Sequence, residues 1–156
     1  VSDELTVDEV KMVVEQVAQV YMAAYAEPMP PFDSHDPAKL QGALAAPFQS
    51  AFGEDIYQTV YLKAAALFYF VAKDHAFENG NKRTAVVVLL YYLAKNGSAL
   101  QISPRRLYEL AVAAVESQRS KDEIVQELAA FIAEHCVPAA QWLARALKQA
   151  KRSDNA

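Results

Sequence analysis

Between two long apolar stretches of the chain lies a short polar segment, His75-Ala-Phe77-Glu-Asn79-Gly80-Asn81-Lys82-Arg83-Thr84. Its residue types suit the binding of an anion. If a helix starts just after Gly80, Lys82 and Arg83 fall in its first turn. There the helix dipole is positive and the leading amide hydrogens have no intrahelical acceptor. Cations are unfavourable at such a place unless something negative lies between them. Glycine lets a ligand approach the backbone closely, and free amides with two adjacent cations form a phosphate-sized cradle. The pattern is not the GxxxxGK[ST] phosphate loop. His75 precedes the turn, and histidine is the side chain best suited to take a proton from a hydroxyl. A base beside such a cradle would serve attack of a hydroxyl on a phosphate ester. The residues alone leave a plainer reading open: Asn79-Gly80 as an ordinary turn pair, with the two cations on a wetted helix surface.

The elements around this segment must hold it in place. The chain has 156 residues with 53% apolar and 22% charged side chains, enough for one domain with a buried core. Only 4 glycines argue against a sandwich or barrel rich in tight turns, and alanine is abundant, so an all-α architecture is expected. A net charge of −4 provides no general attraction to nucleic acid or to an anionic membrane. A single cysteine, Cys136, excludes a disulfide framework and a cysteine zinc cage. No apolar run reaches membrane-spanning length, and the first ten residues are polar and acidic; a soluble, cytoplasmic domain is the expectation.

Helix signals follow one another along the chain. Thr6 to Glu9 reads as a capping box, with Val10, Val14, Val17, Tyr21 and Ala24 on one face until Pro28, Pro30 and Pro31 end the helix. Asp36-Pro37 opens a short helix reaching about Ala46, stopped by Pro47. Residues 47–55 read as a partly extended connector. A central buried helix is expected from Ile56 to Lys73. The run after Asn81 could be a strand by its three valines, but it continues through LLYYLAK and stops at Asn96-Gly97, so helix is preferred. Ser103-Pro104 and the capping box Ser120 to Glu123 open two more helices, ending near Ser117 and His135. Pro138 begins a last amphipathic segment, 138–151, with a frayed tail from Arg152.

The polar segment closely resembles the signature of the Fic/Doc (Fido) superfamily, H-x-F-x-[D/E]-[G/A]-N-[G/K]-R, and Lys82 before Arg83 is typical of its Doc (death-on-curing) branch. The resemblance extends over roughly residues 38–128, from KLQGALAAP and FGEDIYQTVYLKAAALFYFVAKDHAF to YELAVAAVESQRSKDEIVQEL. It implies a single domain, 1–156, built as a helical bundle with a short β-hairpin flap near residues 47–54. By the resemblance, His75 deprotonates a hydroxyl of a target protein. Gly80, Asn81, Lys82 and Arg83 hold nucleotide phosphates, and Phe77 anchors the loop in the core. ATP is the implied substrate and Mg²⁺ the implied metal.

Two positions depart from the pattern. Asn79 stands at the acidic position that normally holds the metal, so metal binding there should be weak. Val86 stands where adenylyltransferase members carry a further arginine, which members of the Doc branch also lack. The resemblance therefore implies a Doc-like toxin that transfers the γ-phosphate of ATP to a Ser or Thr hydroxyl, with elongation factor Tu the expected kind of target and an antitoxin protein as partner. Adenylyl transfer to a protein hydroxyl and a catalytically weakened nucleotide-binding module are the alternatives. The string Ser50 to Asp55 distantly matches the family's inhibitory motif, but ends in Asp and falls in the expected flap, so it is read as chance.

Other candidates have plainer readings. Asp33 to Asp36 is a loop ending in an N-cap rather than a metal site. Tyr91 and Tyr92 are expected in the core, and Arg105 and Arg106 on a solvated face. Phe48 and Phe52 either line a pocket or pack. Trp142 is a docking residue or an oligomer contact.

Overall fold

The computed structural model describes residues 4–18 and 31–155. Among them are seven α-helices. They are α1 (Val7–Val13), α2 (Pro37–Ala45), α3 (Val60–Lys73), α4 (Asn81–Lys95), α5 (Pro104–Glu116), α6 (Lys121–His135) and α7 (Ala139–Asp154). Four strands accompany them: β1 (Ser50–Ala51), β2 (Glu54–Asp55), β3 (Ser98–Leu100) and β4 (Cys136–Pro138). The fold is all-α with a short antiparallel hairpin, as the sequence led one to expect.

Helices α3 and α4 share the most extensive interface, and α6 also packs on α3. Small side chains permit this closeness: Ala64, Ala65 and Ala66 on α3, and Ala85 on α4, are fully buried. Leu67, Phe68, Val86, Val88, Leu89, Tyr92 and Leu93 fill the space between and around them. Both flanks of the polar segment are thus fixed in the most tightly packed part of the molecule.

Local signals explain most helix starts. The Thr6 hydroxyl accepts from the Glu9 amide, and the Glu9 carboxylate accepts from the Thr6 amide at 3.2 Å, completing the capping box. The Asp36 carboxylate accepts from Lys39 N–H, with Pro37 at the first helical position. The box expected at Ser120 is only half formed. Ser120 accepts from the Glu123 amide, but the Glu123 carboxylate turns to Arg119 Nε at 3.2 Å.

The structure corrects several boundaries. α1 passes into a π-helical turn over Val14–Ala18, which rotates Val17 out to solvent, at 44% exposure, instead of into the core. Tyr21, Ala24, Pro28 and Pro30 lie outside the described residues. Pro47 does not simply stop α2; it is buried in a 3-10 turn, Ala46–Phe48. α3 begins at Val60 rather than Ile56, because the Thr59 hydroxyl caps it by accepting from Leu62 N–H, and Ile56 remains exposed. The hairpin spans residues 50–55, with Ser50 opposite Asp55 and Ala51 opposite Glu54. Phe52 and Gly53 turn it with φ of 55° and 79°, the left-handed pair required by a two-residue loop. β3 and β4 pair antiparallel, Leu100 opposite Cys136 and Ser98 opposite Pro138. Neither was expected, since three-residue strands leave no readable alternation. Finally, α7 remains helical to Asp154, past the expected fray at Arg152.

Candidate functional site

The polar segment forms the bend between α3 and α4. α3 ends at Lys73 and is capped by Asp74, whose amide donates to the Phe70 carbonyl, and the chain then turns through His75 with φ of 52°. A left-handed conformation is rare for a residue with a side chain and costs about 1 kcal/mol or more. His75 is also exposed. The fold therefore holds an imidazole at the surface in a conformation it does not favour by itself.

Two devices fix the bend. Phe77 is 2% exposed, and its ring lies 5.6 Å from Phe32 and 5.8 Å from His35, centre to centre. Asn81, also buried, receives a hydrogen bond from the Phe77 amide on its Oδ1 at 3.0 Å and donates from Nδ2 to the Phe77 carbonyl at 2.8 Å. The Asn81 amide is thereby committed to closing the loop; what it offers a ligand is its backbone N–H. The Asp36 amide donates to the Ala76 carbonyl at 2.8 Å, which joins the loop to the start of α2.

Sequence reasoning missed one part of this support. In sequence, Asp33 to Asp36 shows only a loop ending in an N-cap, yet Phe32 and His35 form the wall on which Phe77 rests. His35 Nδ1 lies 2.6 Å from the Phe32 carbonyl, which holds its ring beside Phe77. No spacing in the sequence announces a contact across some forty residues.

α4 starts on Gly80, with φ of 82° and no side-chain cap. An N-cap Ser or Asp would have supplied an oxygen to the amides of the first turn; glycine leaves them without one. Lys82 is partly exposed beside them, while Arg83 is 8% exposed. Arg83 reaches back, its Nη2 lying 3.4 Å from Asn79 Oδ1. The cradle thus consists of helix-end amides with Lys82 near their rim and Arg83 deeper, and His75 sits on the same bend.

The metal expectation for Asn79 meets an obstacle here. Its amide oxygen faces a guanidinium, which opposes a divalent cation at the same atom. Among the described residues no group of acidic, histidine or cysteine side chains is arranged to hold a metal ion. The described side chains therefore do not fit a metal bound by the protein itself.

Other expected positions fall as follows. Tyr92 is fully buried, with Phe48 edge-on to it at 5.7 Å. Tyr91 is not a simple core residue, since its hydroxyl donates to Glu9 at 2.7 Å. Phe52 neither packs nor lines a pocket; it is fully exposed at the hairpin tip. Arg105 and Arg106 are exposed and lie 3.6 and 3.7 Å from Glu109, a solvated ion cluster.

A helical bundle, a β-hairpin and a glycine-started helix at a histidine-bearing bend define a narrow class of proteins. Comparison places the chain within it. The family model described as Fic/DOC family matches residues 4–93. Toxin Doc of Mycolicibacterium smegmatis (strain ATCC 700084 / mc(2)155) is 35% identical over 96 residues, 60% of this chain and 74% of that protein. The chain belongs to the Fic/DOC family, in its Doc branch. Members of this family are typically nucleotide-dependent transferases. Among the described residues no helix is long and apolar enough to cross a membrane.

Proposed function

We propose that the chain, as a single Fic/Doc domain over 1–156, is a Doc-like toxin. In this reading it transfers the γ-phosphate of ATP to a Ser or Thr hydroxyl of a cytoplasmic protein of the elongation factor Tu kind. Family membership supports the transferase class, and the name of the mycobacterial relative supports the toxin context and an antitoxin partner. The observation that carries the reaction is the bend itself: an exposed histidine held in a strained conformation beside an uncapped helix N-terminus.

The residues act as follows. His75 takes the proton from the target hydroxyl as its oxygen bonds to the γ-phosphorus. The bond from that phosphorus to the bridging oxygen breaks, and ADP leaves with the electron pair. The backbone amides of Asn81 and Lys82, with the side chains of Lys82 and Arg83, stabilise the charge on the phosphate oxygens. Gly80 gives those oxygens room, and Phe77 and Asn81 keep the loop in place. Mg²⁺, if it accompanies ATP, would be held by the phosphates and would lessen their charge.

Val86 favours phosphoryl over adenylyl transfer. It is fully buried in α4, so position 86 offers phosphates no cation where adenylyltransferase members carry one. The Asn79–Arg83 contact is the one observation that favours a weakened, binding-only module.

Incubating the protein with lysate and ATP labelled at the γ or the α position separates these readings. The proposal expects γ-label on a cytosolic protein, dependent on the toxin and lost by at least about 100-fold in His75→Ala, the scale of a general base. Transfer of α-label would replace it with adenylyl transfer. Nucleotide binding without transfer of either label would leave the binding module.

A further inference from the structure

The geometry points to α7 and the groove beside it as a docking surface for an acidic amphipathic helix of another protein. None of the side chains of α7 is buried, although it is 16 residues long. Trp142, Leu143 and Leu147 are 48%, 53% and 55% exposed. At helical spacing they share a face with Ala146 and Ala150. A helix of this length is marginal in water without a partner, so an apolar face of this kind is suited to being covered. Trp142 and Leu143 also form one wall of a groove of about 750 Å³, whose other walls include Val17, Leu90, Ala94 and Leu100. The β3–β4 pair fixes the base of α7 against that groove. The Gln101 amide donates to the His135 carbonyl and the Ala139 amide to the Gly97 carbonyl, each at 2.9 Å.

Charge selects the occupant. α7 carries Arg145, Lys148, Lys151 and Arg152 against one carboxylate, Asp154, in a chain whose net charge is −4. No carboxylate among the described residues forms an ion pair with any of these four cations. By helical spacing Arg145 and Arg152 border the Trp142 edge of the apolar face and Lys151 borders the Leu147 edge. A second α7 laid on this face would bring cation against cation along both edges. An anionic membrane would meet the acidic remainder of the molecule as well as the basic helix, and a flat bilayer leaves a groove unfilled. A helix with apolar side chains for the groove and acidic residues on its flanks satisfies both features. This surface stands independently of the phosphate cradle.

Trp142 is the only tryptophan, so its emission reports on the face directly. The probes are two synthetic helical peptides with leucines at i, i+3, i+4 and i+7, one with glutamates on both flanks and one with lysines. The full chain should bind the glutamate peptide saturably, with a blue shift of Trp142 emission and an affinity at least about 10-fold above that for the lysine peptide. The double substitution Arg145→Glu and Lys151→Glu should reverse that preference while leaving the far-ultraviolet circular dichroism unchanged. Equal affinity for both peptides, or no saturable binding, overturns the proposal. So does a blue shift that appears with protein concentration and a doubled mass, or one seen only with anionic phospholipid vesicles.

Discussion

Asn81 shows how a polar residue can serve a site without touching a ligand through its side chain. Both ends of its amide are bonded to the backbone of Phe77 in a buried place. Asn81→Ala leaves the Phe77 N–H and C=O unsatisfied, at a cost of about 1–3 kcal/mol. Thermal unfolding should show that loss, and nucleotide affinity should fall with it, because the bend that presents His75 and Lys82 loosens. Unchanged stability in Asn81→Ala would contradict the structural role assigned to it. The motif's residue types were legible in sequence because cations at a helix start break a local rule. The division of labour among them was not. Whether an asparagine faces phosphate or backbone depends on atoms that spacing does not specify.

Among the elements, α1 and α4 pack on each other and are also joined through the Glu9 carboxylate. Glu9 caps α1 through one oxygen, while the other accepts from Tyr91 Oη at 2.7 Å and Lys95 Nζ at 2.8 Å. Partial burial alone would raise the Glu9 pKa, but the bonds from Lys95 and Tyr91 outweigh it and bring it down to about 2. A depressed carboxylate pKa stabilises the folded state above the unfolded value of 4.5, and that contribution is lost as the pH falls toward about 2. Since Glu9 is at the rim, with water on one side, the effect is about 1 kcal/mol rather than the full value of the shift. Melting temperatures measured between pH 7 and pH 2 should therefore fall less steeply for Glu9→Gln than for the parent, from a slightly lower start. Parallel profiles would remove Glu9 from the account. The capping box was visible in sequence; its long-range use was not. The same contrast holds elsewhere. α2, α4, α5 and α6 announce themselves through caps, proline and Asn96-Gly97, whereas the β3–β4 pair consists of segments too short to show a period. The π-helical turn at Val14–Ala18 also escapes a reading that assumes one constant helical spacing.

For the whole molecule, the buried α3–α4 pair is a rigid frame, and the candidate chemistry sits on the loop between them. The core holds the ends of the bend, so the bend can carry an exposed, left-handed His75 and a helix start without a side-chain cap. The all-α class and the flap followed from composition and from the family resemblance; the wall formed by Phe32 and His35 emerged only in three dimensions. The central claim is that phosphate oxygens settle at the N-terminus of α4. Backbone amide chemical shifts recorded while ATP is added to the isotopically labelled protein test this directly. The account predicts saturable shifts centred on Gly80 to Arg83, with smaller ones at His75, and their loss when Lys82 and the nucleotide's phosphates no longer meet, as in Lys82→Glu. Shifts confined to another face of the molecule, or amides of Gly80 to Arg83 that remain unmoved at saturating ATP, would contradict it.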